Sequence, residues 1–233
     1  FCFVLFLVML GRDLGTASVI AVIMAGLLFV SGIPLRLVGT LAATAAVGIG
    51  FFIATTQYRA ARWSVFLNPF DPAQYKNEGW QPAHSLLGLA SGGIFGVGLG
   101  GSRQKWGNLP EAHTDFIFAV IGEELGLLGT LFILALLGTL IYSSLRIAMR
   151  SSDSFTRFAC AGIASWIAIQ TILNIGSAVS LLPVVGVTLP LLSYGGSALI
   201  ATYLGIAFIA SGALREPEIK LEVKNFLAQR LHR

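Results

Sequence analysis

The sequence predicts an all-α polytopic membrane protein, a helical bundle of about five to six transmembrane helices with one long extracytoplasmic loop. Composition is the first reason: of 233 residues 55% are hydrophobic and only 11% charged, with a mean hydropathy of +0.81, whereas about 25% of a soluble domain is charged. The second is length of apolar run. Charge-free stretches cover Leu14 to Leu35, Leu37 to Tyr58, Leu125 to Leu145 and Phe158 to Leu214, each reaching the roughly 20 residues that one crossing needs. The third is punctuation inside the last stretch, where Asn174, Gly176, Pro183, Gly186, Pro190, Ser193, Gly195 and Gly196 are too many breakers for one helix. Two helices therefore flank a re-entrant or surface turn. The same composition excludes collagen-like, coiled-coil and disordered chains. Cys2 and Cys160, both in apolar runs, read as small buried hydrophobes with no disulfide framework.

The first apolar run, ending near Gly11, spans only about 17 Å at 1.5 Å per residue, so it is expected to be part of a helix belonging to a longer chain. Further helices are expected over 14–32, 36–56, 116–148, 157–182 and 190–213. The stretch 116–148 exceeds one crossing, so it must tilt, break near Gly126 or extend past the headgroups. Residues 1–214 then form one transmembrane domain that includes the loop 57–115, and 215–233 form a tail.

Basic residues orient the bundle, because short cytoplasmic loops carry the positive excess. Alternating helices put Arg36, Arg146, Arg150, Arg157, Arg215, Lys220, Lys224, Arg230 and Arg233 on one side. The opposite six, Arg12, Arg59, Arg62, Lys76, Arg103 and Lys105, fall mostly in a loop long enough to be exempt. The tail is therefore expected to be cytoplasmic, and the net charge of +4 is explained by anionic headgroups without a nucleic-acid partner. Its Ile219, Val223, Phe226, Leu227 and Leu231 recur at helical intervals, which suits an interfacial helix as well as it suits a frayed solvated tail.

On the outer face the loop holds Trp63, Trp80 and Trp106 with Pro69, Pro72, Pro82 and Pro110, an ordered segment pressed to the interface that Trp prefers. The glycine run from Gly92 to Gly101 lacks the strand and βαβ unit of a dinucleotide site. It serves either close backbone packing or a phosphate approached by backbone N–H groups. His113-Thr114-Asp115 closes the loop before an apolar helix. Asp115 is then either a helix cap or, with His113 and Glu111 nearby, a general base acting on a hydroxyl at the mouth of a membrane cavity. A helix N-terminus depresses a carboxylate pKa, so the second reading requires compensating burial.

Glu123 and Glu124 would lie about 12–14 Å into the bilayer on a continuous helix. Such acids are either paired by a neighbouring helix or face a cavity and couple protons or cations. Adjacent helical side chains point about 100° apart, so one is expected to face the cavity below Asp115 and the other to be structural. Asp13 opens a helix and reads first as a cap. Arg59 and Arg62, three residues apart, together with Arg103 and Lys105 can hold a diphosphate or snorkel to headgroups.

Five blocks in order over nearly the whole chain carry a resemblance: Asp13 to Thr16; Tyr58 to Arg62 leading to Leu67-Asn68-Pro69 and Asp71-Pro72; Ser91 to Gly100; Leu109 to Gly126; and Thr188 to Ser197. On these the chain closely resembles the SEDS family of bacterial peptidoglycan polymerases, and its cell-division branch more than its elongation branch. The departures are Arg12, Ser180 and Ala198, none in the Asp115 block. The resemblance implies a ten-helix protein of which this chain is the C-terminal half or somewhat more. It further implies an enzyme of the bacterial plasma membrane, active on the extracytoplasmic face, that polymerises lipid II with a class B penicillin-binding protein and other divisome membrane proteins. Asp115 matches the essential aspartate.

The expected reaction is inverting glycosyl transfer, with Asp115 deprotonating the acceptor 4-hydroxyl and the polyprenyl diphosphate leaving. Arg59, Arg62 and Lys105 are the candidates for stabilising that leaving group. Glu111, His113, Ser193, Gly195 and Gly196 are expected to bind substrate, and Asp13, Glu123 and Glu124 to be cavity acids. No cofactor or metal ligand is assigned, and a divalent ion stays open. The rival from another class is a flippase for the same lipid-linked precursor; a scaffold that only recruits division proteins would leave the acidic pair and the Asp115 block without purpose.

Overall fold

A computed structural model describes residues 2–11, 13–34, 36–40, 43–44, 50, 65 and 68–216. Six helices are described in full: α1 Cys2–Leu10, α2 Leu14–Val30, α3 Trp80–Gly92, α4 Ile117–Arg150, α5 Ser154–Ala178 and α6 Gly196–Arg215. The regions expected to form the helix 36–56, the Arg59–Arg62 pair and the tail helix lie largely or wholly outside the described residues. Among the described residues all regular structure is helical. Three helices, α4, α5 and α6, are long and apolar enough to cross a membrane, and Gly15–Val30 is a shorter apolar helix.

Each helix starts where its sequence allows. Asp13 caps α2, accepting from Thr16 N at 2.9 Å and Thr16 Oγ1 at 2.6 Å; Asp153 does the same for α5 through Thr156. Such a cap supplies one of the acceptors that the first turn lacks. The helix α3 lies within the expected loop. It carries Pro82 in its first turn, where the missing N–H costs nothing, and ends at Gly93 with φ +54.

Helix α5 is the centre of the bundle. It packs against α2 on one side and α4 on the other, while α3 lies along α4 and α6 crosses both α5 and α4. The core near the site joins Leu109, Phe116, Phe118, Ala119, Val120, Ala178 and Leu189. A second cluster at the other end joins Ala148, Cys160, Ala161 and Ile209. Cys160 is buried and unpaired, whereas the Cys2 side chain lies outside the described residues. On α4, by contrast, Leu127, Leu128, Leu131 and Phe132 are more than half exposed, as expected of a face that meets lipid rather than water.

Of the three ways to accommodate the long stretch before Arg150, the chain breaks at Gly126, whose φ of 70° and ψ of −166° are not helical. This backbone region is essentially reserved for glycine. A break inside an apolar helix orphans carbonyls before it and N–H groups after it, and neither can be left unpaired in a membrane. The glycine run supplies the partners. Val97 N donates to Glu123 O at 2.9 Å and Gly98 N to Glu124 O at 3.1 Å, while Leu127 N and Leu128 N donate to Gly93 O and Ile94 O at 2.9 and 3.2 Å. Close backbone packing is therefore the arrangement found there, and the Val97 and Gly98 N–H groups are committed to helix carbonyls rather than open to a phosphate.

Candidate active site

The segment 109–116 winds around one carbonyl. Glu111 adopts a left-handed φ of 54°, and its C=O accepts from the backbone N–H groups of Thr114, Asp115 and Phe116 at 3.1–3.2 Å. Its carboxylate accepts from Thr114 Oγ1 at 2.7 Å. The helix begins only at Ile117 with Phe116 as its N-cap, so Asp115 precedes the capping position. Asp115 is half-buried and His113 exposed.

Two other segments close on this turn. From α5, Asn174 Nδ2 donates to Asp115 O and to Val187 O, both at 2.8 Å. From the connection between α5 and α6, Ser193 Oγ donates to Thr114 O at 2.6 Å and accepts from Leu189 N at 2.7 Å, and Tyr194 N donates to His113 O at 2.8 Å. The Asp115 carboxylate lies against Gly186: a methyl group built there would sit 3.6 Å from Asp115 Oδ2.

Gly186 belongs to the wall of a partly polar cavity of about 340 Å³, shared with Thr16, Gln170, Val187, Thr188 and Trp166. Ile23 and Trp166 also line the neighbouring apolar groove of about 480 Å³, which continues between α2, α5 and α6 past Leu27, Phe158 and Phe208. The Asp13–Thr16 block shapes this region. Gly15 is where α2 meets the 185–187 backbone, and a Cβ there would stand 2.5 Å from Val185 O and 3.1 Å from Val187 Cγ2.

Several residues singled out in the sequence have defined partners here. Glu123, 1% exposed, accepts from Ser102 Oγ at 2.5 Å, Arg103 N at 3.0 Å and Gln104 N at 3.3 Å. Glu124 accepts from Lys105 Nζ at 2.5 Å and Ser102 N at 3.4 Å. Both acids therefore clamp the loop 102–105, just ahead of the break at Gly126. Lys105, expected at a leaving group, is held in that clamp. Ser193 spends its hydroxyl on backbone, Gly195 and Gly196 start α6, and Asp13 is engaged as a cap. Arg59 and Arg62 lie outside the described residues. Among the described residues no group of three or more His, Cys, Asp or Glu side chains is placed to hold a metal ion.

Asn174 was read from the sequence only as a helix breaker. Its signal was an amide in an otherwise apolar span, a residue type that defaults to a partnered or functional role at such depth.

Fold and site together define a multi-pass helical membrane protein with a carboxylate at one end of its bundle, beside a partly polar cavity and a neighbouring apolar groove. The family model described as "Cell cycle protein", covering FtsW, RodA and SpoVE, matches residues 1–216, and the chain belongs to that family. It is 42% identical over 215 residues to a probable peptidoglycan glycosyltransferase FtsW of Dichelobacter nodosus, covering 90% of this chain and 53% of that protein. It is 43% identical over 206 residues to one of Mycobacterium tuberculosis, covering 88% and 39%. The chain thus spans about half the length of these relatives or less. Among solved structures it is similar to a chain of a peptidoglycan synthase complex that coordinates polymerization and crosslinking, at a TM-score of 0.69 and 29% identity over 92% of this chain and 60% of that one. A mutant of the rod shape determining protein RodA of Thermus thermophilus gives a TM-score of 0.56 at 29% identity, over 88% and 51%.

Proposed function

We propose that this chain is the C-terminal part of a peptidoglycan glycosyltransferase of the cell-division type, which polymerises lipid II on the outer face of the bacterial plasma membrane. Asp115 is the general base. It takes the proton of the acceptor sugar hydroxyl, whose oxygen attacks the anomeric carbon of the lipid-linked donor as the bond to the diphosphate oxygen breaks, with inversion at that carbon. The observation that carries this reading is the place of Asp115 against Gly186, which lines a partly polar cavity that shares Ile23 and Trp166 with an apolar groove. A partly polar cavity beside an apolar trough suits a sugar headgroup on a long hydrocarbon chain.

The leaving diphosphate needs fixed positive charge. With Lys105 engaged by Glu124, that role falls to Arg59 and Arg62. Relatives of this chain carry the glycosyltransferase name, and a structural neighbour acts within a peptidoglycan synthase complex; by analogy the partner of this protein is a class B penicillin-binding protein. The C-terminus is cytoplasmic, since alternating helices put Arg215 at the end of α6 on the same side as Arg150 and Arg157 about the α4–α5 link.

The test is polymerisation of purified lipid II by the full-length protein with its partner synthase. Asp115→Asn should abolish glycan strands while leaving membrane insertion and partner binding intact. Strands of normal length made at the normal rate by the mutant complex would overturn the assignment, and translocation of lipid II without polymer would mark a flippase instead.

A further inference from the structure

Asp115 precedes α4, whose Ala119 N donates to Phe116 O, and its own carbonyl is met from another helix. Its partner is Asn174 Nδ2, 59 residues away in sequence, which donates at 2.8 Å both to it and to Val187 O. The amide can face only one way, because turning it would set Oδ1 against two carbonyl oxygens. Oriented so, Oδ1 is buried and makes no hydrogen bond among the described residues. A buried acceptor without a partner is a standing cost, incurred here for two donated bonds that tie the Asp115 turn to α5 and to the strip beside Gly186. One residue earlier Ser193 repeats the device: it donates to Thr114 O and accepts from Leu189 N. Successive carbonyls, Thr114 and Asp115, are thus held by side chains from separate segments, and the same two side chains hold Val187 and Leu189 in the facing wall.

We infer that Asn174 and Ser193 are positioning residues that fix the Asp115 carboxylate against the cavity wall at Gly186. The inference rests on Asp115 being the base. Neither side chain need touch substrate: each locks the backbone that carries the reacting group to the backbone that walls the cavity, so a proton-transfer geometry survives thermal motion. Substitution should therefore act on the chemical step and leave lipid II binding alone.

The experiment uses the full-length protein with its partner synthase in detergent and purified lipid II, measuring kcat and KM for Asn174→Ala, Ser193→Ala, Ser193→Thr and Asp115→Asn. Loss of positioning should lower kcat by about tenfold to a hundredfold in both alanine variants, with KM unchanged, and Ser193→Thr, which keeps the hydroxyl, should recover most of the loss. If Asn174→Ala does not assemble with its partner, Ser193→Ala and Ser193→Thr decide. An inactive Asp115→Asn beside unchanged kcat in the alanine variants overturns this inference alone, as does a raised KM at unchanged kcat, which would make these residues substrate contacts. Normal polymerisation by Asp115→Asn would sink the general-base reading and this inference with it.

Discussion

Lys105 Nζ lies 2.5 Å from Glu124 Oε1, with both side chains less than a fifth exposed. Exposed ion pairs contribute about 0–1 kcal/mol; one that is mostly shielded and hydrogen-bonded should contribute about 1–3 kcal/mol. A double-mutant cycle of Lys105→Met and Glu124→Gln, read by thermal unfolding in detergent, should give a coupling energy in that range. Added salt should weaken it little. Additive single effects would mean the pair is solvated in the protein as it works.

Glu123 should matter more to folding than Glu124. It is the more buried, and its two oxygens take three donors from Ser102, Arg103 and Gln104. A Gln side chain has one acceptor oxygen and a donor where the other stood, so Glu123→Gln leaves a loop N–H or hydroxyl unpaired at a cost of about 1–3 kcal/mol. Lowered melting temperature in both single Gln variants, larger for Glu123, is the expected pattern. One variant losing activity at an unchanged melting temperature would restore the division of labour expected from the sequence.

At Gly126 any side chain meets two obstacles. The φ and ψ there cost other residues about 1–3 kcal/mol, and a Cβ would lie 2.5 Å from Ile94 O. Gly126→Ala should therefore lower the yield of folded full-length protein and expose the loop 93–101 to protease. Gly15→Ala should act differently, pushing α2 away from the 185–187 backbone beside the site. Its expected signature is reduced turnover out of proportion to the loss of thermal stability.

Asp153 gives a pH-dependent test far from the site. The Thr156 hydroxyl and backbone N–H hold its carboxyl below the ordinary value. A depressed folded-state pKa means that the stabilisation is present above the unfolded pKa and is lost as pH falls through the folded one. Melting temperatures of wild type and Asp153→Asn should therefore differ near neutrality and converge under acid conditions. A constant gap at all pH values would mean that the cap does not depend on the charge of Asp153.

The sequence made the spanning helices legible because charge-free length is nearly sufficient to define them, and α2 was expected at 14–32 against an observed Leu14–Val30. Ends were harder. The last helix was expected from 190 and starts at Gly196, since the breakers from Pro183 to Gly196 mark a turn without marking which of them ends it. Helix α3 was missed for the opposite reason: it lies beside α4 with a mixed face, and only Pro82 and Gly93 marked its ends. Of the candidate site, Asp115 stood out by its position before an apolar run. Asn174 and the Ser193 bonds did not, because contacts between residues 59 or 79 positions apart leave no local periodicity to read.

The joint at Gly126 is fastened almost wholly by main-chain atoms: two N–H groups donate in each direction across it. Such a rivet specifies room, not side-chain chemistry. The turn that holds Asp115 is thereby mounted on α4 at a set height, and the residues that line the joint are free to vary in side-chain chemistry without shifting that turn.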